Sequence, residues 1–182
     1  MKKLLGTSIL IGTLAVAGFG QVNTQRENQQ DRVAQGVRSG QLTPGETANL
    51  ENQERALNGE IRADRQANGG NLTSAERAQI NGQQNGLSKQ IYADKHNAAS
   101  DHFGNGKIGQ RKENQQDRIA QGIQSGRLNA GQTANLENRE ANINRTIHAD
   151  RAANGGKLTN AERNSVNRQQ NRVSRSIYRD KH

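Results

Sequence analysis

The chain contains little of what usually stabilises a small protein. Among 182 residues there is no cysteine, no tryptophan, one proline, two tyrosines and two phenylalanines. Without cysteine there are no disulfides, no thiol chemistry and no lipid on a cysteine. Only ten of the 70 residues from 27 to 96 are Leu, Ile or Val, below the roughly 20% at which disorder becomes a serious alternative. A core must therefore also use alanine and the stems of polar side chains.

The familiar catalytic motifs are absent as well. The sequence has no Gly-x-Ser-x-Gly, no His-Glu-x-x-His and no phosphate-binding glycine loop before a lysine. We expect paired carboxylates to occur only as exposed helix charges. So few large apolar side chains also make a water-excluding pocket hard to build. We therefore expect no enzymatic activity and no cofactor.

The first twenty residues have the pattern of an export signal. Lys2 and Lys3 are followed by an apolar run, Leu4 to Val16, and then by small residues. The run is short for a membrane span, and no second one follows. We expect residues 1–20 to be a cleaved signal peptide and residues 21–26 a disordered start. The mature protein would be secreted or periplasmic, without a transmembrane segment.

The rest of the chain is an internal duplication. Residues 27–96 align without a gap to residues 113–182 at an offset of 86, and 44 of the 70 pairs are identical. A repeat of this kind indicates one structural unit used twice. We call residues 27–96 module 1 and residues 113–182 module 2. Residues 97–112 are rich in small residues and are expected to be a flexible linker.

The spacing of apolar residues predicts an all-α fold with three helices in each module. Leu50, Leu57 and Ile61 follow steps of seven and four, which are typical of one helical stripe. Glu54 and Gln84 interrupt the stripes and are expected to weaken them. Thr-x-x-Glu and Asn-x-x-Gln capping boxes mark helix starts. The predicted helices lie near residues 27–38, 44–67, 74–95, 113–124, 130–153 and 160–181.

Two motifs carry a resemblance. The combination Ala-Asp-Arg-x-x-Asn-Gly-Gly-x-Leu-Thr-x-x-Glu-Arg with Ile-Tyr-x-Asp-Lys-His occurs in both modules. It resembles a group of small exported bacterial helical-repeat proteins of unknown function, and it covers nearly all of the mature chain. The resemblance implies that the protein is exported, but it implies no catalytic activity and no ligand.

The loop between the second and third helix of each module has a degenerate likeness to an EF-hand calcium loop. A weak divalent-cation site there would use the residues Asp64, Asn68, Glu76, Asp150, Asn154 and Glu162. The match needs an inserted residue, and an arginine stands among the ligand positions. Helix capping explains the Gly, Thr and Glu residues without any ion, so capping is the favoured interpretation.

The Ile-Tyr-x-Asp-Lys-His motif ends each module and holds both tyrosines, Tyr92 and Tyr178. His96, His182 and the nearby His102 raise the possibility of a transition-metal site. One histidine and one aspartate per motif are too few for a closed site. The favoured interpretation is that Tyr and Ile close the end of the module while the charged residues remain solvated.

The clearest functional signal is a difference in charge. Module 1 has eight Lys and Arg against nine Asp and Glu, and module 2 has twelve against seven. Gly82, Gly86, Lys89 and Ala93 of module 1 correspond to Arg168, Arg172, Arg175 and Arg179 of module 2. Steps of four, three and four place these four arginines on one helix face, along about 16 Å. They are expected to face solvent, where such a row suits an extended polyanion.

These observations lead to three functional hypotheses. The first is an exported protein that binds acidic polysaccharide, lipopolysaccharide or extracellular DNA through its arginines. Contacts to DNA would be to phosphates, without sequence preference. The second is a hydrophilin-like protectant, largely disordered in dilute buffer. The third is weak calcium binding. Self-association is compatible with each of them.

Overall fold

A computed structural model describes residues 17–182, with side chains from residue 20 onward. The predicted signal peptide, residues 1–20, lies almost entirely outside the described residues. The described part is all-α. Its six helices are α1 Ala17–Ser39, α2 Pro44–Ala67, α3 Ser74–Lys95, α4 Lys107–Gln124, α5 Ala130–Ala153 and α6 Asn160–Lys181. None of these helices is both long enough and apolar enough to cross a bilayer.

Capping boxes fix the starts of four helices, as the sequence predicts. Thr73 accepts a hydrogen bond from the Glu76 amide at 3.2 Å, and the Glu76 carboxylate accepts one from the Thr73 amide at 2.7 Å. The same reciprocal pair begins α2, α5 and α6. Each pair satisfies two amides that the first helical turn leaves free. For α2, α3, α5 and α6 the observed bounds match the predicted ones.

The other two helices begin earlier than predicted. α1 already includes residues 21–26, so this stretch is helical and not a disordered start. Val22 is the reason, because it is 3% exposed and packs in a second apolar cluster with Leu57, Ile61, Leu72 and Ile80. α4 begins at Lys107, six residues before the repeat boundary, and its cap Gly106 makes no side-chain bond. The sequence has no capping motif that would predict the start of α1 or of α4.

The two modules pack against each other and share one core. Each helix of the first hairpin meets its equivalent, α1 against α4 and α2 against α5, and these are the most extensive contacts in the molecule. The larger apolar cluster draws on both halves, with Leu50 and Ile91 from one module and Leu136 and Ile177 from the other. α3 and α6 pack only on their own modules within the described residues. Such pairing of equivalent surfaces is what an isologous dimer shows.

The segment between the modules is anchored, although the sequence predicts a flexible linker. The Asp101 amide donates to the Gly40 carbonyl at 2.8 Å, and the Asp101 side chain pairs with Lys112. Gly40 has φ +71°, and a Cβ there would lie 2.7 Å from the Asp101 carbonyl oxygen. Only glycine fits both the backbone angle and the close approach. Residues 107–112 of the predicted linker are the first turns of α4.

Candidate functional site: the arginine face of α6

The four arginines predicted to form a row all lie on the exposed side of α6. We call Arg168, Arg172, Arg175 and Arg179 the arginine face. The opposite side of the helix is buried, with Val166 and Ile177 fully inside and Val173 at 2%. The helix is regular from Asn160 to Lys181, so the four side chains stand over a rise of about 16 Å. The arrangement that the sequence predicts is thus present.

Little inside the protein neutralises this face. Arg179 pairs with its neighbour Asp180 at 2.9 Å and remains 72% exposed. Arg168, Arg172 and Arg175 make no ion pair with any residue that the structure describes. Three guanidinium groups therefore keep their hydrogen-bond donors for solvent or for a ligand.

More basic groups line the seam between α4 and α6, beside the arginine face. Arg111 donates to the Asn171 side chain at 2.8 Å, Arg118 donates to the Ser174 carbonyl at 3.2 Å, and Lys181 donates to the Arg118 carbonyl at 3.2 Å. Their partners are neutral amides and carbonyls, so their charge is not cancelled. The sequence pattern alone does not identify these flanking groups, because their position depends on how α4 packs.

The equivalent surface of α3 in module 1 carries one positive charge. Gly82, Gly86 and Ala93 are exposed there, and Lys89 is the only basic residue at the four positions. A Cβ added to Gly82 or Gly86 would meet nothing within 4 Å. Packing therefore does not require glycine on this face. The same backbone presents a nearly neutral surface in one module and a cationic one in the other.

In the proposed calcium loops, the asparagine side chain bonds to the backbone carbonyl of the aspartate and to the side chain of the glutamate. The Asn68 amide donates to the Asp64 carbonyl at 2.9 Å and to the Glu76 carboxylate at 2.8 Å. Asn154 does the same with Asp150 and Glu162 in module 2. The capping hydrogen bonds lower the pKa of Glu76 and of Glu162. Among the described residues, no group of three or more His, Asp or Glu is arranged to hold a metal.

At the ends of α3 and α6, the expectation that both Tyr and Ile close the module is wrong for the tyrosines. Ile91 and Ile177 are buried, but Tyr92 and Tyr178 are 61% and 62% exposed and do not close the modules. Tyr92 stacks on His96 at a ring distance of 4.1 Å, and His96 Nδ1 donates to the Tyr92 carbonyl at 2.7 Å. Tyr178 and His182 repeat this arrangement. Each histidine caps the last turn of its helix, and His102 contacts Ser100 instead.

Sequence reasoning missed a set of buried acids between the modules. Glu51, Glu137 and Glu140 are fully buried, Glu54 is 2% exposed and Asp101 is 8% exposed. We call these five residues the carboxyl cluster, and they overturn the expectation that paired carboxylates occur only as exposed helix charges. A usable signal existed, because Glu54 and Glu140 occupy stripe positions and all four glutamates are retained between the modules at an offset of 86.

Burial raises the pKa of every member of this cluster. The pKa of Glu51 rises to about 8, chiefly through desolvation and secondly through repulsion from Glu54. Desolvation also raises the pKa of Glu140 to about 8, against the attraction of Lys112. The pKa of Glu137 is raised well above its ordinary value by burial, despite a 3.1 Å bond from Gln116. Carboxyl groups in such surroundings hold their protons near neutral pH.

No protein-family model, curated protein or solved structure matches this chain.

Proposed function

We propose that this protein is exported, has no enzymatic activity and binds anionic polymers or surfaces through the arginine face of module 2. The observation that carries the proposal is the row of exposed guanidinium groups, three of them without an internal ion pair. A guanidinium group binds phosphate or carboxylate through two parallel hydrogen bonds. Four such groups at a helical spacing favour an extended ligand over a single small anion.

The chain as a whole supports the same kind of ligand. Its formal net charge is +9 at pH 7, with an isoelectric point near 10.5. The basic groups on the α4–α6 seam widen the cationic surface beside the arginine face. Acidic polysaccharide, lipopolysaccharide and the phosphates of extracellular DNA all offer repeated negative charge, and binding to any of them would weaken with salt.

The test is a binding titration of the full mature chain against a labelled single-stranded DNA and against heparin, repeated at several salt concentrations. In the triple variant R168Q/R172Q/R175Q, the slope of log affinity for DNA against log salt should become shallower by about 2, since each lost phosphate contact contributes about 0.7. Affinity at low salt should fall by at least about tenfold.

The matched control removes the same charge elsewhere. R55Q/R62Q/K89Q also neutralises three exposed basic residues, all of them in module 1. It should keep most of the wild-type slope. If both triple variants weaken binding equally, net charge and not the arginine face is responsible. If neither probe binds at low salt, the proposed function is wrong.

A further inference from the structure

The carboxyl cluster lies where the two modules meet. Glu51 and Glu54 come from α2, Glu137 and Glu140 come from α5, and these two helices form the largest contact between the modules. Glu51 and Glu137 are equivalent positions of the repeat, and their charges are close enough to interact. The structure thus places like groups against each other across the contact between the modules.

The cluster is short of hydrogen-bond donors and of positive charge. Both carboxyl oxygens of Glu51 and of Glu140 lack a hydrogen bond of normal geometry among the described residues, and Glu54, Glu137 and Asp101 have one such oxygen each. The Gln30 and Asn144 side chains lie near Glu51 and Asp101, and their effect on the pKa of each acid is smaller than that of burial. The cations facing the cluster are Lys112 of α4, which pairs with Asp101, and the half-buried Arg26 of α1, near Glu54. His102 of the connecting segment adds some positive charge near Asp101. These cations are too few to balance five buried carboxylates.

A metal ion does not resolve this shortage. The described carboxylates and histidines do not converge in any group of three or more that could hold one. Protonation of several carboxyl groups does resolve it, because a neutral carboxyl group costs far less to keep out of water than a carboxylate and no longer repels its neighbours. The repulsion of Glu51 by Glu54, and of Glu137 by Glu140 and Glu51, adds to this preference for the protonated form.

We propose that the carboxyl cluster is a proton-binding site that controls the contact between the modules. With its carboxyl groups protonated, the modules close over it along α2 and α5. When the carboxyl groups ionise, repulsion and the cost of keeping charge out of water weaken that contact. Opening then lets water reach the carboxylates and releases their protons to solvent.

The direction of the pH effect follows from the raised pKa values. In an open or unfolded chain these glutamates titrate near 4.5, whereas Glu51 and Glu140 titrate near 8 in the closed form. Between these values the closed form binds more protons, so its stability falls as pH rises. The stabilising effect of Glu51 and Glu140 is complete below pH 4.5 and is lost by about pH 8, and the raised pKa of Glu137 acts in the same direction.

The effect of overall charge has the opposite sign. The isoelectric point is near 10.5, so the net positive charge decreases as pH rises toward that value. Self-repulsion alone would therefore make the protein more stable at alkaline pH. A loss of stability between acid and alkaline pH therefore cannot come from net charge, and substitution of the buried carboxyl groups tests whether they are its source.

The experiment is thermal unfolding of the full mature chain, followed by circular dichroism at about pH 5 and about pH 9, together with amide hydrogen exchange at both pH values. We expect Tm to be at least about 10 °C lower at the alkaline pH. Protection factors, which correct for the faster intrinsic exchange at alkaline pH, should fall most in α2 and α5. An equal or higher Tm at the alkaline pH overturns the proposal.

A pair of double variants locates the effect. E51Q/E137Q replaces two buried carboxyl groups by neutral amides of the same shape, and it should remove at least a third of the Tm difference. E27Q/E113Q makes the same change at two exposed, equivalent positions and should leave the difference intact. If E27Q/E113Q reduces the difference as much as E51Q/E137Q does, the proposal is wrong. If E51Q/E137Q does not fold, the difference in Tm of the wild-type protein between about pH 5 and about pH 9 still tests the proposal.

Discussion

The outer faces of α3 and α6 differ far more than the surfaces by which the two helices pack. On the inner side, Ile80, Gln84 and Ile91 of α3 correspond to Val166, Gln170 and Ile177 of α6, and all six are buried. On the outer side, two glycines and an alanine correspond to three arginines. Packing and capping constrain the inner positions of both helices alike. The outer positions are free to specify what each module presents to its surroundings.

The largest expected difference between the modules concerns their equivalent cations, Lys112 and Arg26. Lys112 is 7% exposed, pairs with Asp101 and lies 5.7 Å from the centre of the Phe103 ring, whereas Arg26 is half-buried. Lys112→Ala leaves Asp101 buried without its partner, so we expect a loss of about 3 kcal/mol of unfolding free energy. Tm should fall by about 6–12 °C.

Arg26→Ala is the matched control, because its position keeps contact with water. It should cost no more than about 1 kcal/mol. Thermal melts of both variants at neutral pH make the comparison. If both substitutions lower the unfolding free energy equally, the pairing of Lys112 with Asp101 of the connecting segment does not stabilise the protein more than the half-buried environment of Arg26 does.

A transplant of charge tests whether the arginine face alone explains the difference between the modules. In the background R168Q/R172Q/R175Q, the substitutions G82R, G86R and A93R build the same pattern on α3, where Lys89 already stands. A Cβ added at Gly82 or Gly86 meets no atom within 4 Å, and Ala93 is exposed. DNA binding should recover, with the salt slope steeper again by about 2.

The variant G82A/G86A controls for helix stability in that transplant. Replacing glycine by alanine in a helix interior should stabilise α3 by about 0.5–1 kcal/mol per site without adding charge. It should leave the salt slope unchanged. If G82A/G86A in the background R168Q/R172Q/R175Q restores DNA binding as well as the added arginines do, then helix stability and not charge determines binding.

The smallest expected effects come from the two exposed tyrosines. Tyr92→Ala and Tyr178→Ala each remove a side chain that is more than half exposed and stacks mainly on a terminal histidine. Each should change the unfolding free energy by no more than about 0.5 kcal/mol. Thermal melts measure this, and a much larger loss in only one variant would mean that the two helix ends are not equivalent.

How well the sequence predicts each element depends on the physical signal it carries. A capping box is a local sequence motif, so it predicts the first residue of α2, α3, α5 and α6 correctly. The starts of α1 and α4 depend on tertiary contacts, such as that of Val22 with the second apolar cluster, and the repeat boundary misplaces them. The arginine face is also local, because helical spacing and solvent exposure suffice to predict it.

The carboxyl cluster could not be predicted in the same way. Helical periodicity places Glu54 and Glu140 on the buried stripe, but a single module gives no reason to bury Glu51 or Glu137. Their burial arises from the pairing of α2 with α5. The helical stripe therefore indicates Glu54 and Glu140, whereas the burial of Glu51 and Glu137 is evident only once the modules are brought together.

The pairing of equivalent helices within one chain has a consequence for how this protein can vary. In a dimer of identical subunits, any substitution on an outer helix is copied to both sides by symmetry. When a single polypeptide supplies both halves, a substitution in one half is not copied to the other. Its two outer surfaces can acquire different chemistry while the shared interior stays matched, so that one side becomes specialised without any cost to the other.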